Sequence, residues 1–250
     1  MAQYFSPKIV TNGLIAYIDP ANSKSYPGSG TMLADLSGNG NSGVTSGAEF
    51  VSEGPGSYLQ NVGNISGQMQ ISMVHSTSLN SAFTTTTGGW VIEELIWTNS
   101  VVYPEADGGS VASGPAYTTG ATGFDWNHGV QSTAQMRFGQ SSSAASGYED
   151  DVTLSIPAAL GGTGIWRLRT IVWDRGNNRN SLYINGTYVG AVSTPGTAGT
   201  AIYDGGGIVF GALYGWRHFG RRGPIKIYNR ILAADEILQN FNALRGRYNI

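Results

Sequence analysis

Two adjacent carboxylates, Glu93 and Glu94, are the strongest candidates for catalytic chemistry in the sequence. A retaining glycosidase needs two carboxyl groups roughly 5–5.5 Å apart, one on each side of the scissile bond. Both residues lie in the apolar run 90–97, which predicts a β-strand. Neighbouring residues of a strand point to opposite faces of the sheet, so this pair cannot converge on one sugar. The acidic run 149–151 is typical of a solvated turn, and we therefore expect no enzyme activity.

Metal ligation is the second kind of chemistry that the residue types allow. Calcium and other hard cations bind several oxygen ligands, and Asp/Asn-rich turns could supply them. Three such turns contain Asp19, Asp35 with Asn39 and Asn41, and Asp174 with Asn177. None has a diagnostic spacing, and Asp and Asn side chains in turns commonly bind their own backbone. The histidines, which are His75, His128 and His218, lie too far apart for a zinc motif. We expect neither a metal nor another cofactor.

Aromatic residues interleaved with cations and amides indicate binding instead. Exposed rings can stack on sugars, but Trp, Tyr and Arg are also enriched in protein interfaces. The candidate carbohydrate- or partner-binding residues are Trp126, His128, Tyr214, Trp216, Arg217, His218 and Arg221. We favour a place in the core or in a subunit contact for these rings over sugar binding. The nearby cations Arg217, Arg221 and Arg222 could meet an acidic patch on a partner or be solvated beside a turn.

The elements that carry these residues are predicted to be mainly strands. Only 12% of residues are charged and 37 are glycine, which is typical of many short strands and tight turns. Residues 14–18 form an apolar strand that ends at a proline. Residues 166–192 alternate and contain Asn185-Gly186, a strong hairpin signal, so they predict a three-stranded antiparallel meander. Residues 208–210 and 225–228 add two more strands.

Residues 104–164 contain few convincing strands and many Gly, Ser and Ala residues. We expect them to form long loops with short strands such as 135–138 that decorate one end of a sandwich. The loop 35–43 is rich in Gly and Asn, which tolerate positive φ, and it predicts compact turns with inward-facing amides.

The last 26 residues change from a period of 2 to a period of 3.6, which predicts a half-buried strand followed by a helix. The strand alternates isoleucines with Lys226 and Tyr228. The helix would place Ile237, Phe241 and Leu244 on its packed face and Gln239, Asn240 and Arg245 elsewhere. Asp235 and Glu236 suit its first turn, Arg245 and Arg247 its last turn, and Gly246 its C-cap.

Three segments resemble laminin G-like, concanavalin A-like jelly rolls. They are residues 13–20 with the loop 35–43, the hairpin WRLRTIVWD with LYINGTYVG, and the closing GPIKIYNRILAADEILQNF. The tail QNFNALRGRY is similar to structural proteins of tailed bacteriophages, notably those infecting cyanobacteria. Residues 100–165 match nothing in this family. Ala233 stands where relatives often have a helix-capping Ser, which costs about 1 kcal/mol of helix stability.

The resemblance implies an all-β chain, namely an antiparallel β-sandwich jelly roll (concanavalin A-like) with one short C-terminal helix. Residues 1–250 would be one domain, with 1–10 a possible N-terminal arm. The implied function is that of a virion structural protein, a capsid decoration or head-fibre component that adheres to other virion proteins. A glycan-binding module for host adsorption is the alternative, and a glycanase the third.

Charge and composition restrict the partners and the compartment. The net charge is −2, so no basic footprint indicates nucleic acid. No apolar run has the roughly 18 residues of a membrane span, and the N-terminus does not have the pattern of a secretion signal. The chain contains no cysteine, which favours assembly in a reducing host cytoplasm before incorporation into a virion. Expected partners are other virion proteins, further copies of the chain, and host-surface glycans in the alternative.

Overall fold

The structure is a computed structural model that describes residues 7–61, 69–73, 76–83, 87–98, 107–109, 126–132, 135–140, 152–193, 208–213, 216–217 and 220–250. These residues form eighteen strands and two α-helices. The strands are β1 (Leu14–Ile18), β2 (Met32–Leu33), β3 (Gly43–Ser46), β4 (Ala48–Val51), β5 (Tyr58–Asn61), β6 (Gln70–Met73), β7 (Gly89–Thr98), β8 (Asp107–Gly109), β9 (Trp126–Ser132), β10 (Gln135–Gln140), β11 (Val152–Ser155), β12 (Trp166–Asp174), β13 (Arg179–Ile184), β14 (Thr187–Ser193), β15 (Ile208–Phe210), β16 (Ala212–Leu213), β17 (Trp216–Arg217) and β18 (Gly220–Tyr228). The helices are α1 (Thr77–Phe83) and α2 (Ala234–Tyr248), and Gly54–Gly56 forms a 3-10 turn.

Two eight-stranded antiparallel sheets form the layers of the molecule. The main sheet has the order β14-β13-β12-β7-β18-β5-β4, and β1 also pairs with β18. The second sheet has the order β11-β10-β9-β8-β15-β6-β3-β2, and β16 and β17 form a separate hairpin. Strand β7, which carries Glu93 and Glu94, lies at the centre of the main sheet between β12 and β18.

The strongest sequence patterns predicted their strands correctly. The meander β12-β13-β14 forms as expected, and its turn places Asn185 and Gly186 at φ values of 52° and 76°. Both residues therefore have the positive φ that a type I′ hairpin requires. The Asn185 side chain accepts a hydrogen bond from the Leu168 amide, so it belongs to the turn.

Within residues 104–164, the predicted short strand 135–138 is confirmed as part of β10. The expectation of long decorating loops was wrong where the structure describes β8, β9 and β11. Strands β8, β9, β10 and β11 all fall in this stretch, and they form half of the second sheet. Strands β8 and β9 are rich in small and polar residues, so apolar alternation gives little sign of them, and β11 is only four residues long. Pairing with neighbouring strands, rather than intrinsic β-propensity, makes these segments strands.

The main hydrophobic core lies between the two sheets. The main sheet contributes Ile92, Ile171 and Ile225, and the second sheet contributes Ile71 and Phe210, all of them fully buried. Contact between the inward faces of two sheets is the packing that defines a β-sandwich.

Helix α2 covers the outer face of the main sheet. Its Ile237 packs with Val91 and Val172, and its Leu244 packs with Leu95 and Leu168. Both faces of β18 are therefore buried, and the expectation of a half-buried closing strand was wrong. Lys226 and Tyr228, which alternation placed toward solvent, each have an exposed fraction of 0%.

The ends of α2 differ in part from the prediction. Glu236 accepts a hydrogen bond from the Ala233 amide, but the Ala233 side chain has no acceptor, so only half of a capping box forms. Gly246 lies inside the helix, and the C-cap is Asn249 at φ 54° and ψ 49°. Asn is the other residue that commonly adopts this left-handed conformation, so it replaces glycine as the cap.

Candidate functional site

The predicted binding residues Trp126 and His128 lie in strand β9 of the second sheet. Their backbone partners in β8 are Gly109 and Asp107. They are two positions apart, so they share one face of that sheet. The structure describes the backbone of this strand but not its side chains, and the binding role of both residues stays a prediction.

The second group of predicted binding residues, which lies between 214 and 218, is described only in part. Trp216 and Arg217 form strand β17, paired with Leu213 and Ala212. Tyr214 and His218 lie outside the described residues. A role for these four residues therefore stays a prediction.

Arg221 is the predicted residue whose side-chain surroundings the structure describes. It lies in β18 on the outer face of the main sheet, and its guanidinium carbon is 4.5 Å from the Trp97 ring centroid and 4.7 Å from that of Tyr58. An arginine within about 6 Å of an aromatic face makes a cation–π contact. The arginine is half-buried, so its charge is held against the sheet by two rings at the protein surface.

Two further rings extend this cluster toward the end of α2. Trp166 lies 5.5 Å from Tyr58 and 5.0 Å from Tyr248, measured between ring centroids. We call Tyr58, Trp97, Trp166, Arg221 and Tyr248 the aromatic surface. Trp97, Trp166 and Arg221 are half-buried, whereas the two tyrosines are nearly covered. Ile165, which precedes Trp166 in the sequence, is 50% exposed.

Acidic and amide groups adjoin the aromatic surface. The Tyr58 hydroxyl donates a hydrogen bond to Glu53, and burial raises the pKa of Tyr58 above its usual value despite the opposing charge of Arg221. Glu49 and Gln60 form a side-chain hydrogen bond on the adjoining strands β4 and β5. Apolar rings, a cation and polar groups of both kinds lie together, a composition suited to a protein or sugar partner.

The two carboxylates of β7 point in opposite directions, as the sequence predicted. Glu94 lies on the inner face, where Arg169 donates to Oε1 at 2.7 Å and Arg222 donates to Oε2 at 2.7 Å. All three side chains are buried, Glu94 and Arg222 completely. The carboxylate is thus held between two guanidinium groups inside the sandwich, where no substrate reaches it.

Glu93 lies on the outer face, beneath helix α2. Lys226 donates to its Oε2 at 2.6 Å, and the Asn240 side-chain amide donates to the same oxygen at 2.9 Å. Thr170 donates to Oε1 at 3.2 Å. Glu93, Thr170, Lys226 and Asn240 each have an exposed fraction of 0%.

Asn240 connects this group to two more elements. Its Oδ1 accepts a hydrogen bond from the Val10 amide at 2.8 Å, and its Nδ2 also donates to the Tyr228 hydroxyl at 3.0 Å. Burial, followed by the charge of Glu93, raises the pKa of Tyr228, so this phenol stays protonated. We call Glu93, Thr170, Lys226, Tyr228 and Asn240 the outer network.

Sequence reasoning missed most of the outer network. Alternation placed Lys226 toward solvent, and the helical pattern placed Asn240 off the packed face. Asn240 lies three residues from Ile237 and four from Leu244, which are spacings of one helical face. That spacing was the available signal that it packs against the sheet.

The turn carboxylates that could have bound a cation are bonded to the protein itself. Asp19 accepts two hydrogen bonds from Arg247, Asp35 accepts backbone amides of its own loop, and Asp174 accepts from Asn177. Among the described residues, no group of three or more acidic, His or Cys side chains is arranged to hold a metal ion. In that part of the chain, no helix is long and apolar enough to cross a membrane.

Neither a family model nor a curated protein sequence matches the chain. Solved structures do match it. The binding domain of Paraclostridial Mosquitocidal Protein 1 aligns with a TM-score of 0.65 at 15% identity, covering 93% of this chain and 52% of that one. The binding domain of Botulinum neurotoxin DC, in complex with rat synaptotagmin II, aligns with a TM-score of 0.64 at 16% identity, covering 94% and 52%.

A third match is a structure of botulinum neurotoxin type C, whose cell entry is described as dependent on two ganglioside molecules. It aligns with a TM-score of 0.64 at 14% identity, covering 94% of this chain and 52% of that one. The chain therefore spans about half the length of the structures it matches. At sequence identities of 14–16%, the structural similarity shows the fold alone. The chain is an antiparallel β-sandwich of the jelly-roll type that closes with a C-terminal helix, and the first two structures are binding domains rather than catalytic ones.

Proposed function

We propose that the chain is a non-catalytic adhesion protein on the surface of a tailed bacteriophage particle, a capsid decoration or head-fibre component. The observation that carries the adhesion part is the aromatic surface, where Trp97, Trp166 and Arg221 lie half-buried on the outer face of the main sheet. Trp and Arg are the residue types that dominate binding energy in protein interfaces.

The ion pairs formed by Glu93 and Glu94 support a binding role rather than a catalytic one. Glu93 and Glu94 lie on opposite faces, and both are bonded to buried cations. A glycosidase would need two carboxyl groups that reach one bond from the same cleft. This arrangement disfavours a glycanase built on this pair.

The virion assignment rests on the sequence. The tail from Gln239 to Tyr248 is similar to structural proteins of tailed phages.

A glycan-binding module for host adsorption is the second candidate. Rings beside a guanidinium and amides also suit sugars, and one of the matched structures is described in terms of gangliosides. This chain matches only about half of that structure.

Proteomic mass spectrometry of purified particles tests the virion part of the proposal. We expect the chain in mature particles, with a copy number comparable with that of the capsid protein for decoration and far lower for a fibre. Absence from mature particles would contradict the proposal.

Substitution in the aromatic surface tests the adhesion part. We expect Trp97→Ala and Arg221→Ala to reduce incorporation into particles without loss of folding. The matched control is Tyr188→Ala, which removes a 46% exposed ring on strand β14 at the edge of the main sheet. Normal incorporation of both surface variants would contradict the interface. Glycan-array binding that Trp97→Ala abolishes would favour the alternative.

A further inference from the structure

The outer network contains the groups that could form an amide cross-link between two side chains without an external reagent. It contains an amine (Lys226), an amide carbonyl (Asn240) and a carboxylate between them (Glu93), all with an exposed fraction of 0%. We propose that Lys226 and Asn240 are joined by an isopeptide bond between Nζ and Cγ, formed by the folded chain with loss of one ammonia. The bond would fasten helix α2 to strand β18.

The geometry brings the reacting groups together on one oxygen. Oε2 of Glu93 accepts from Lys226 Nζ at 2.6 Å and from Asn240 Nδ2 at 2.9 Å. The nucleophile and the leaving nitrogen therefore share a single acid–base group, which is the arrangement that an acyl transfer needs. Fixing both reactants in the folded core replaces a bimolecular encounter by an intramolecular one.

The carbonyl of Asn240 is also polarised. Its Oδ1 accepts the Val10 amide at 2.8 Å, and this donor would stabilise the negative charge that develops on the oxygen during attack. Tyr228 of the outer network packs in one buried apolar cluster with Val91, Val172 and Ile237. These side chains exclude water, so hydrolysis does not compete and the charged pair gains little from hydration.

The atoms balance without an external reagent. Glu93 takes one proton from the Lys226 ammonium, and the Nζ lone pair forms the bond to Cγ while the carbonyl electron pair moves to Oδ1. Glu93 then protonates Nδ2, the carbonyl re-forms, and the Cγ–Nδ2 bond breaks to release ammonia. The remaining extra proton on Nζ passes to Glu93, which leaves an amide bond, ammonia and a protonated carboxyl group.

The chain contains no cysteine and therefore cannot form a disulfide. An isopeptide bond would give it an internal covalent cross-link by another route. A cross-link between α2 and β18 would resist forces that pull the C-terminal helix from the sheet.

Intact mass and a tryptic map of the wild-type chain test the proposal. We expect a mass lower than that of the sequence by one ammonia. Trypsin requires a free lysine side chain, so cleavage after Lys226 should fail, and residues 223–230 should be recovered covalently joined to residues 231–245. The sequence mass, with free peptides 223–226 and 231–245, would overturn the proposal.

The map is needed because cyclisation at an Asn-Gly pair also releases ammonia. Such pairs occur at Asn12, Asn39 and Asn185. A mass lower by one ammonia with free peptide 223–226 would therefore overturn the cross-link as well.

Single substitutions test the roles of Asn240 as the acyl donor and of Glu93 as the acid–base group. We expect Asn240→Ala and Glu93→Gln to have the mass of their sequences and normal cleavage after Lys226. The matched control is Gln239→Ala, which changes the preceding helix residue, whose side chain bonds the exposed Lys8 carbonyl, and it should keep the joined peptides. Joined peptides in Asn240→Ala would overturn the proposal.

Discussion

The two faces of strand β7 differ in what their buried carboxylates hold together. On the inner face, Glu94 is bonded to Arg169 and Arg222, which lie on the two strands beside it. On the outer face, Glu93 is bonded to Lys226 of a neighbouring strand and also to Asn240 of helix α2. The inner carboxylate joins strands within one sheet, whereas the outer carboxylate joins two layers.

This difference shows how adjacent residues of one type acquire different roles. The strand alternation sends one side chain into the sandwich core and the other beneath the helix. A charge in either place is costly unless it is paired and hydrogen-bonded, so Lys226 lies beside Glu93 and two arginines lie beside Glu94. Neither carboxylate is left for a substrate.

The largest effect is expected from Glu94→Gln. It removes the anion between two buried guanidinium groups, and breaking a buried ion pair costs about 3–5 kcal/mol of unfolding free energy. Urea denaturation measures the loss. The control Glu49→Gln, at an exposed position, should change stability by about 0.5 kcal/mol or less. Equal effects of the two variants would contradict the structural role of Glu94.

Arg247→Ala tests a second attachment of α2 outside the outer network. Arg247 donates to both Asp19 oxygens, at 2.8 and 3.0 Å, and Asp19 is 1% exposed. Loss of hydrogen bonds to a buried charge should cost about 1.5–3 kcal/mol. The matched control Arg245→Ala removes an exposed arginine of the same helical turn and should cost about 0.5 kcal/mol or less. Similar urea midpoints for the two variants would contradict the attachment.

Gly246→Ala should stabilise the protein. Gly246 lies inside α2, and a Cβ there would meet no atom within 4 Å. Replacing a helical glycine by alanine contributes about 0.5–1 kcal/mol. Thermal unfolding checks the gain, and a lower melting temperature would indicate that Gly246 is the helix cap after all.

The smallest effect concerns the first turn of α2 at low pH. The bond from Arg230, together with the Ala233 amide, lowers the pKa of Glu236 to about 2. A lowered carboxyl pKa stabilises the folded state above the unfolded pKa of 4.5, and this contribution disappears as the pH falls through about 2. The pair is partly exposed, so the contribution should stay below about 1 kcal/mol. Urea titrations of wild type and Glu236→Gln should therefore differ above about pH 4.5 and converge at about pH 2. A constant difference would contradict this assignment.

The sequence was a good guide where local patterns and packing agree. The hairpin at Asn185 and the central strand β7 form as predicted because turn chemistry and apolar runs act locally. Lys226 and Asn240 could not be placed in this way because their burial depends on α2 folding back over the sheet. Strand β10 was predicted at residues 135–138. Strands β8, β9 and β11 were missed because they are short or polar and depend on pairing with neighbouring strands.

The candidate binding site was also predicted only in part from the sequence. Arg221 was singled out from a local run of arginines, and the structure places it against two rings. Those rings, Trp97 and Tyr58, come from strands far away in the sequence, so the aromatic surface could not be assembled from spacing.

Hydrogen exchange of the helix α2 amides in Glu93→Gln and Glu94→Gln tests the difference between the two faces most directly. If Glu93 holds the helix to the sheet, Glu93→Gln should raise exchange in residues 234–248 far more than in strand β12. Glu94→Gln should raise exchange in the helix and in the strand together, because it weakens the sandwich as a whole. Equal loss of protection in helix and strand in Glu93→Gln would contradict the account.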